Sequence, residues 1–283
     1  MSKYMQSDRR EAVKAVASKA KARRSAQVMN PEWREDPFGE LAGAQRVPGL
    51  KQRFPDRVLV MTTDRCFGRC AHCTRKYILG KTPVVDTPER LAACVGYVRR
   101  HSKVRDMLLS GGDVLTLSDV AVERLVDAFA ALPQVEMVRI CTRAPVLCPS
   151  RVTDRLAKAI AKSGKVWANV HINTADEARA AAAAARLLAR GIPVSSQTVL
   201  LRGVNDTPRK MLSLLQALSA ARIRPYYVFQ CDPVAGLERF RVPLDRARKI
   251  EEYCAERIGG LALPRFVADV PGASRKIPID LLQ

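Results

Sequence analysis

The stretch Val58-Leu59-Val60-Met61-Thr62-Thr63-Asp64-Arg65-Cys66-Phe67-Gly68-Arg69-Cys70-Ala71-His72-Cys73 decides the reading of this chain. Val58–Thr63 is a short apolar, β-rich run and predicts a strand. Directly after it come Cys66, Cys70 and Cys73, at the spacing C-x3-C-x2-C. Three thiolates can hold three irons of a four-iron, four-sulfur cluster, whose soft irons prefer thiolate, and leave the fourth iron open for a ligand. Two plainer readings stand beside this one. A structural zinc site usually takes four protein ligands in two paired hooks, and His72, lying between two of the thiols, would strain a tetrahedral shell. Alternatively, the cysteines are unliganded buried thiols.

Outward from this stretch the pattern alternates. Strands are expected over Met107–Ser110, Val135–Cys141, Val166–His171, Pro193–Leu201, Pro225–Gln230 and Phe266–Ala268. Helices are expected over Pro88–Arg100, Ser118–Leu132, Thr153–Ser163, Asp176–Arg190, Pro208–Ala221 and Asp245–Ile258, with Ser118 as an N-cap. The alanine run Ala180–Ala185 fits a helix packed closely on a sheet. Six β/α units in a row imply an α/β fold with a parallel sheet and right-handed crossovers. Six rather than eight predicts an open, partial (β/α)6 TIM-type barrel, with functional groups at the C-terminal ends of its strands. The cysteine loop follows the first strand and should lie at that mouth. Before the barrel, Ser7 to Val28 holds good helix formers, and Pro31, Pro37, Pro48 and Pro55 mark irregular chain. The expected division is a helical and irregular N-terminal extension over 1–50 and a barrel over 51–283.

Composition narrows the class. The chain has 283 residues, 47% of them hydrophobic, enough for one large core. It has no apolar run of about 18 residues, so no membrane span is expected, and Asp8 and Glu11 count against a mitochondrial presequence. Eight cysteines in a chain this long do not suggest a disulfide scaffold, and the motif needs free thiolates, so a reducing cytoplasm is the expected location. Cys94, Cys141, Cys148 and Cys254 read as small buried hydrophobes. The net charge of +20 is partly local to Arg9–Arg24. Without aromatic residues interleaved among the basic ones, the excess reads as solvation and anion steering rather than nucleic-acid binding.

The cysteine spacing resembles that of the radical S-adenosylmethionine (SAM) enzymes, in which SAM chelates the open iron and is cleaved to a radical. Ser110-Gly111-Gly112-Asp113, after the second strand, resembles their segment that contacts the amino group of SAM. A narrower resemblance runs in order from about Asp36 to the C-terminus. Val47-Pro48-Gly49-Leu50, Arg53-Phe54-Pro55-Asp56-Arg57, Cys73-Thr74-Arg75, Leu200-Leu201-Arg202-Gly203-Val204-Asn205-Asp206, Arg224-Pro225-Tyr226-Tyr227, Gln230-Cys231-Asp232 and Asp269-Val270-Pro271-Gly272-Ala273-Ser274-Arg275-Lys276 are similar to the lysine 2,3-aminomutase family. The resemblance implies a radical SAM barrel that uses a 4Fe-4S cluster, SAM and pyridoxal 5′-phosphate (PLP) to convert L-lysine to β-lysine. It implies that Lys276 carries PLP, that Arg53 and Arg57 lie near its phosphate, and that His171 and Gln197 lie beside SAM. It further implies that Arg75 binds the substrate carboxylate and that Asp232 and Asp269 receive its ε-ammonium. In glutamate 2,3-aminomutase, a sister family, these two positions are not both acidic, so the pair argues for a cationic substrate. An electron donor such as flavodoxin or ferredoxin is implied, and a homo-oligomer is compatible with the resemblance.

The pattern has departures. Ala71 stands where the family often has arginine, Phe229 where a tyrosine near PLP is usual, and Ala273-Ser274-Arg275 replaces a glycine run. Thr207 replaces a zinc-ligating cysteine, and the sequence ends at Gln283 without the zinc-binding extension of longer relatives, so no zinc is expected. Two alternatives accompany the main reading: the same reaction on arginine, ornithine or another cationic amino acid, and a non-catalytic Fe–S or anion-binding descendant.

Overall fold

The computed structural model describes residues 31–41 and 43–282; the helix expected over Ser7 to Val28 lies outside them. Ten strands among the described residues form one sheet in sequence order. The first three are β1 (Gln45–Val47), β2 (Leu50–Phe54) and β3 (Arg57–Thr63); β4 (Asp106–Gly111), β5 (Met137–Thr142), β6 (Val166–His171) and β7 (Val194–Leu200) follow. β8 (Arg224–Gln230), β9 (Arg265–Ala268) and β10 (Ile277–Pro278) complete it. From β3 to β9 every neighbouring pair is parallel, which requires a crossover between each. β1, β2 and β10 are added antiparallel at the two edges, so the barrel stays open.

The crossovers contain α1 (Pro88–Arg100), α2 (Asp119–Ala130), α3 (Ala144–Leu147), α4 (Asp154–Ala161), α5 (Ala175–Ala180), α6 (Ala185–Leu188), α7 (Pro208–Ala220) and α8 (Leu244–Ala255). Ser and Thr side chains start five of them: Thr87, Ser118, Thr153, Thr174 and Thr207 each accept a hydrogen bond from a backbone N–H of the first turn. Replacing Thr153 by alanine is expected to cost about 1 kcal/mol, to be read as a shift in the denaturant midpoint without a change in slope.

The strands sort their residues by parity. Val58 and Val60, Met107 and Leu109, Val138 and Ile140, and Ala168 and Val170 face outward and are buried in the main core. The alternate residues, among them Leu108 and Ser110, Arg139 and Cys141, Asn169 and His171, Gln197 and Val199, face an inner cavity. At the floor of the barrel Arg139 Nε donates to Asp106 Oδ1 at 2.8 Å, neutralising a buried cation.

Three expectations change. The chain between Pro37 and Pro55, expected to be irregular, holds β1 and β2; β2 pairs onto β3 and gives its edge a partner, and β1 pairs onto β2. The single helix expected over Asp176–Arg190 is broken into α5, a 3-10 segment over Ala181–Ala184, and α6. Alanine tolerates both spacings, and close packing there, with Ala181 and Ala184 almost fully buried, decides the geometry. Of the four cysteines expected in the core, Cys94 and Cys254 are buried, whereas Cys141 and Cys148 are half-buried and Cys141 lines the cavity.

Candidate active site at the barrel mouth

Every residue singled out above as a site candidate lines one cavity of about 360 Å³ that runs from the cysteine loop down into the barrel. Its walls differ in charge and in how far their polar groups are already satisfied.

The cysteine wall is the loop after β3. Cys66 keeps an exposed face, while Cys70 and Cys73 are half-buried. Burial, the Asp113 carboxylate and the two other thiols push Cys66 up to about 11, and burial raises Cys73 as well. Such thiols ionise only against strong positive charge, which iron supplies. Among the described residues no three His, Cys, Asp or Glu side chains converge as ligands of a single ion. The thiolates of a cubane each hold a different iron, so three cysteines on one loop fit a cluster. Arg143, immediately after β5, donates from Nη1 to Cys70 Sγ at 2.8 Å and from Nη2 to Glu177 Oε1 at 2.7 Å. Glu177 Oε2 accepts from Asn173 N at 2.7 Å, and Asn173 contacts both His171 and His72. Burial first, then the facing cation of Arg143, lowers His72 to about 4; burial, His72 and Arg143 lower His171 to about 3. Both imidazoles are therefore neutral at physiological pH. Gln197 stands beside His171 on β7.

Ser110-Gly111-Gly112-Asp113 closes against the same loop. Gly111 has φ +111°, and Gly112 N donates to Thr63 O and Asp113 N to Arg65 O, each at 2.7 Å. The Asp113 carboxylate accepts from Leu115 N at 3.1 Å, Thr142 Oγ1 at 2.7 Å and Arg143 N at 2.8 Å. The glycines thus admit the neighbouring backbone, and Asp113 braces the ends of β4 and β5. Backbone groups and Ser110 remain to face a ligand.

On the opposite wall three cations gather about one ring. Arg57 lies 4.6 Å, Arg53 5.4 Å and Lys276 5.4 Å from the centre of Phe54, and Lys276 is also 5.4 Å from Phe229. Arg57 Nε is 3.1 Å from Asp56 Oδ1 but badly angled, and it is buried without a hydrogen-bond partner. A buried guanidinium N–H without a hydrogen bond, on the same ring as a lysine, suits an anionic, carbonyl-bearing cofactor such as PLP. Arg53 is more committed: it stacks 4.3 Å over Phe38 and gives both terminal nitrogens to Asp269, at 3.1 and 2.9 Å.

The two aspartates are unequal. Asp269 accepts from Arg53 and from Lys276 Nζ. Burial alone would raise its pKa; these cations outweigh burial and hold it below the usual carboxylate range. Asp232 is half-buried, and its Oδ1 is buried without a hydrogen-bond partner. Burial, then the neighbouring negative charge of Asp269, raises it to about 7. A carboxylate with a buried, unpartnered oxygen beside a saturated one suits a cation.

Arg75 is held by a residue that sequence reading missed. Glu40, from the strap over residues 31–41, takes its Nε at 2.7 Å and its Nη2 at 3.0 Å. No local signal marks Glu40, which lies far from Arg75 in sequence. Arg143 was also missed, although its position directly after a strand is the kind of place where barrel sites collect.

Residues 60–215 match the family model for the radical SAM superfamily. The chain is 42% identical over 247 residues to L-lysine 2,3-aminomutase of Clostridium subterminale, covering 87% of this chain and 59% of that protein. It is 41% identical over 235 residues to L-lysine 2,3-aminomutase of Fusobacterium nucleatum, covering 82% of this chain and 55% of the relative. Glutamate 2,3-aminomutase of Clostridioides difficile is 32% identical over 246 residues, covering 86% of this chain and 58% of that protein. The chain thus spans little more than half the length of these relatives. Among solved structures, Streptococcus suis SuiB bound to S-adenosylmethionine has a TM-score of 0.57 at 17% identity, covering 76% of this chain and 51% of that one. At that identity the likeness shows the fold alone. No helix among the described residues is long and apolar enough to cross a membrane.

Proposed function

Because the chain belongs to the lysine 2,3-aminomutase family of the radical SAM superfamily, we propose that it is an isomerase that converts L-lysine to β-lysine by moving the amino group from C2 to C3. The observation that carries this reading is the convergence on one cavity of a three-cysteine loop, a lysine among arginines, and an aspartate whose buried Oδ1 has no partner. Cys66, Cys70 and Cys73 would hold the cluster; Ser110, Gly111, Gly112 and Asp113, with His171 and Gln197, would line the SAM site. Lys276, with Arg53 and Arg57, would hold PLP. When bound, the cluster and SAM supply radical hydrogen abstraction, and PLP supplies the π-system across which nitrogen migrates.

The remaining work falls to side chains of this chain. Arg75 orients the substrate carboxylate, and Asp232 takes the ε-ammonium, with the negative charge of Asp269 beside it. The distance between these two grips selects chain length. Two buried carboxylates reject glutamate, whose side chain would add a third negative charge. Lys276 must shed a proton before it can act as an amine, and Asp269 is hydrogen-bonded to its Nζ. Asp232, raised to about 7, can hold a proton beside that pair at neutral pH. In this reading the barrel over 51–283 carries the chemistry, and the extension over 1–50 lends Asp36, Phe38 and Glu40 to the cavity wall. An external one-electron donor such as flavodoxin or ferredoxin would reduce the cluster in a reducing cytoplasm.

Anaerobic turnover tests the reading. The protein is reconstituted with iron and sulfide, supplied with PLP, SAM and a reductant, and offered lysine, arginine, ornithine or glutamate. β-Lysine from lysine, lost when PLP is left out, is the expected product. 5′-Deoxyadenosine without any β-amino acid would overturn the substrate assignment while sparing the radical chemistry.

A further inference from the structure

Glu40 meets Arg75 from the side. It takes Nε at 2.7 Å and Nη2 at 3.0 Å, which is one of the two forks a guanidinium can offer a carboxylate. The second fork, across Nη1 and Nη2, is not used by Glu40. Nη1 lies 3.5 Å from Ser110 Oγ, so this end of Arg75 faces the cavity beside β4.

Glu40 is anchored independently of Arg75. It is 8% exposed. Its N–H donates to Asp36 Oδ1 at 2.8 Å, and its carbonyl accepts from the buried ammonium of Lys51. Lys51 is itself tied to Thr82 Oγ1 at 3.0 Å. The carboxylate is therefore delivered from a fixed backbone, and the longer, more mobile arginine side chain must come to it. Among the described residues, no other carboxylate is hydrogen-bonded to Arg75.

We propose that Glu40 is a positioning residue for Arg75: it clamps the side fork so that the end fork stays turned toward the substrate's carboxylate. The inference rests on the reading that Arg75 receives that carboxylate. It also gives the strap ahead of the barrel a part in recognition, at the carboxylate end of the substrate. A rival reading makes Glu40 a competitor, a carboxylate that fills Arg75 until substrate displaces it. The two differ in sign, because removing a clamp loosens substrate and removing a competitor tightens it.

The test is a calorimetric titration of the reconstituted, PLP-loaded protein without SAM, so that nothing turns over. L-Lysine is compared with 1,5-diaminopentane, the same chain without the carboxylate, on wild type and on Glu40→Gln. Wild type is expected to prefer lysine. In Glu40→Gln, lysine affinity falls about tenfold and diamine affinity stays the same, so the preference shrinks. The unchanged diamine also reports that the pocket is intact. An unchanged or enlarged preference overturns the proposal, and so does an equal loss for both ligands, which marks a purely structural ion pair. If wild type itself shows no preference, the carboxylate reading of Arg75 falls and the proposal falls with it; the wild-type arm alone separates that outcome from the others.

Discussion

Replacing Asp232 by asparagine is expected to weaken lysine binding by about a hundredfold, roughly 3 kcal/mol, the cost of removing one partner from a buried ion pair. The same change should stabilise the empty protein above neutral pH. The sign follows from the raised pKa. Unfolded, the carboxyl ionises near the ordinary aspartate value of 3.8; folded, burial and Asp269 delay ionisation to about 7. Between these values the folded state holds the extra proton, so stability falls as pH rises through that window and stays lower above it. Asparagine carries no such charge and removes this part of the decline. Lysine binding runs the other way. A cation favours the ionised form, so affinity should rise between pH 6 and 8 in wild type and be flat in Asp232→Asn. Calorimetric titration across that range checks both slopes. An equal pH dependence in the two proteins would remove Asp232 as the ammonium receptor. Asp269→Asn makes a useful contrast. It strips Arg53 and Lys276 of their shared partner and should destabilise the fold, because it leaves two cations without that carboxylate in a largely buried setting.

A methyl group on Gly112 is expected to have the second large effect. A Cβ there would overlap the carbonyl oxygen of Arg65 and lie 2.7 Å from its carbonyl carbon, and backbone cannot swing aside as a side chain can. Arg65 directly precedes Cys66. Either the end of β4 moves away or the cysteine loop does, at the expense of the 2.7 Å bonds from Gly112 N and Asp113 N. Gly112→Ala should therefore cost about 3 kcal/mol, at the upper end for overpacking. It should also lower the iron bound after reconstitution, measured as iron per chain and as cluster absorbance. Normal iron content in a protein of unchanged melting temperature would show that this contact does not hold the loop. The neighbouring Gly111 carries a second constraint, since its φ of +111° is strained for any side chain.

Much of this architecture was legible before any coordinates. The Val166–His171 strand and the Pro88–Arg100 helix fall where the periodicity set them, because an apolar run closed by polar residues and a helix opened by proline are local signals. β1 and β2 were hidden because they are short, half-polar and flanked by prolines, and they are defined by non-local pairing, β2 with β3 and β1 with β2. The alanine helix broke because its propensity says nothing about the space it must fill. At the site, cysteine spacing and the strand-end rule identified the loop and the mouth. Arg143 and Glu40 were not singled out, since neither belongs to a motif.

By itself, the sequence determined the fold class and picked out residues that line one cavity at the mouth. Those properties depend on residue type, spacing and order along the chain, which are one-dimensional. Only the tertiary structure decided how that set is divided. Asp269 is saturated because Arg53, from a distant segment, and Lys276 both reach it, while Asp232, equally acidic in sequence, has no donor for its buried Oδ1. Arg75 is held on one side because the strap delivers Glu40 to it. Whether a buried charge is spent or free depends on which partners stand within about 3 Å, and that distance is set by packing between segments that the sequence keeps apart.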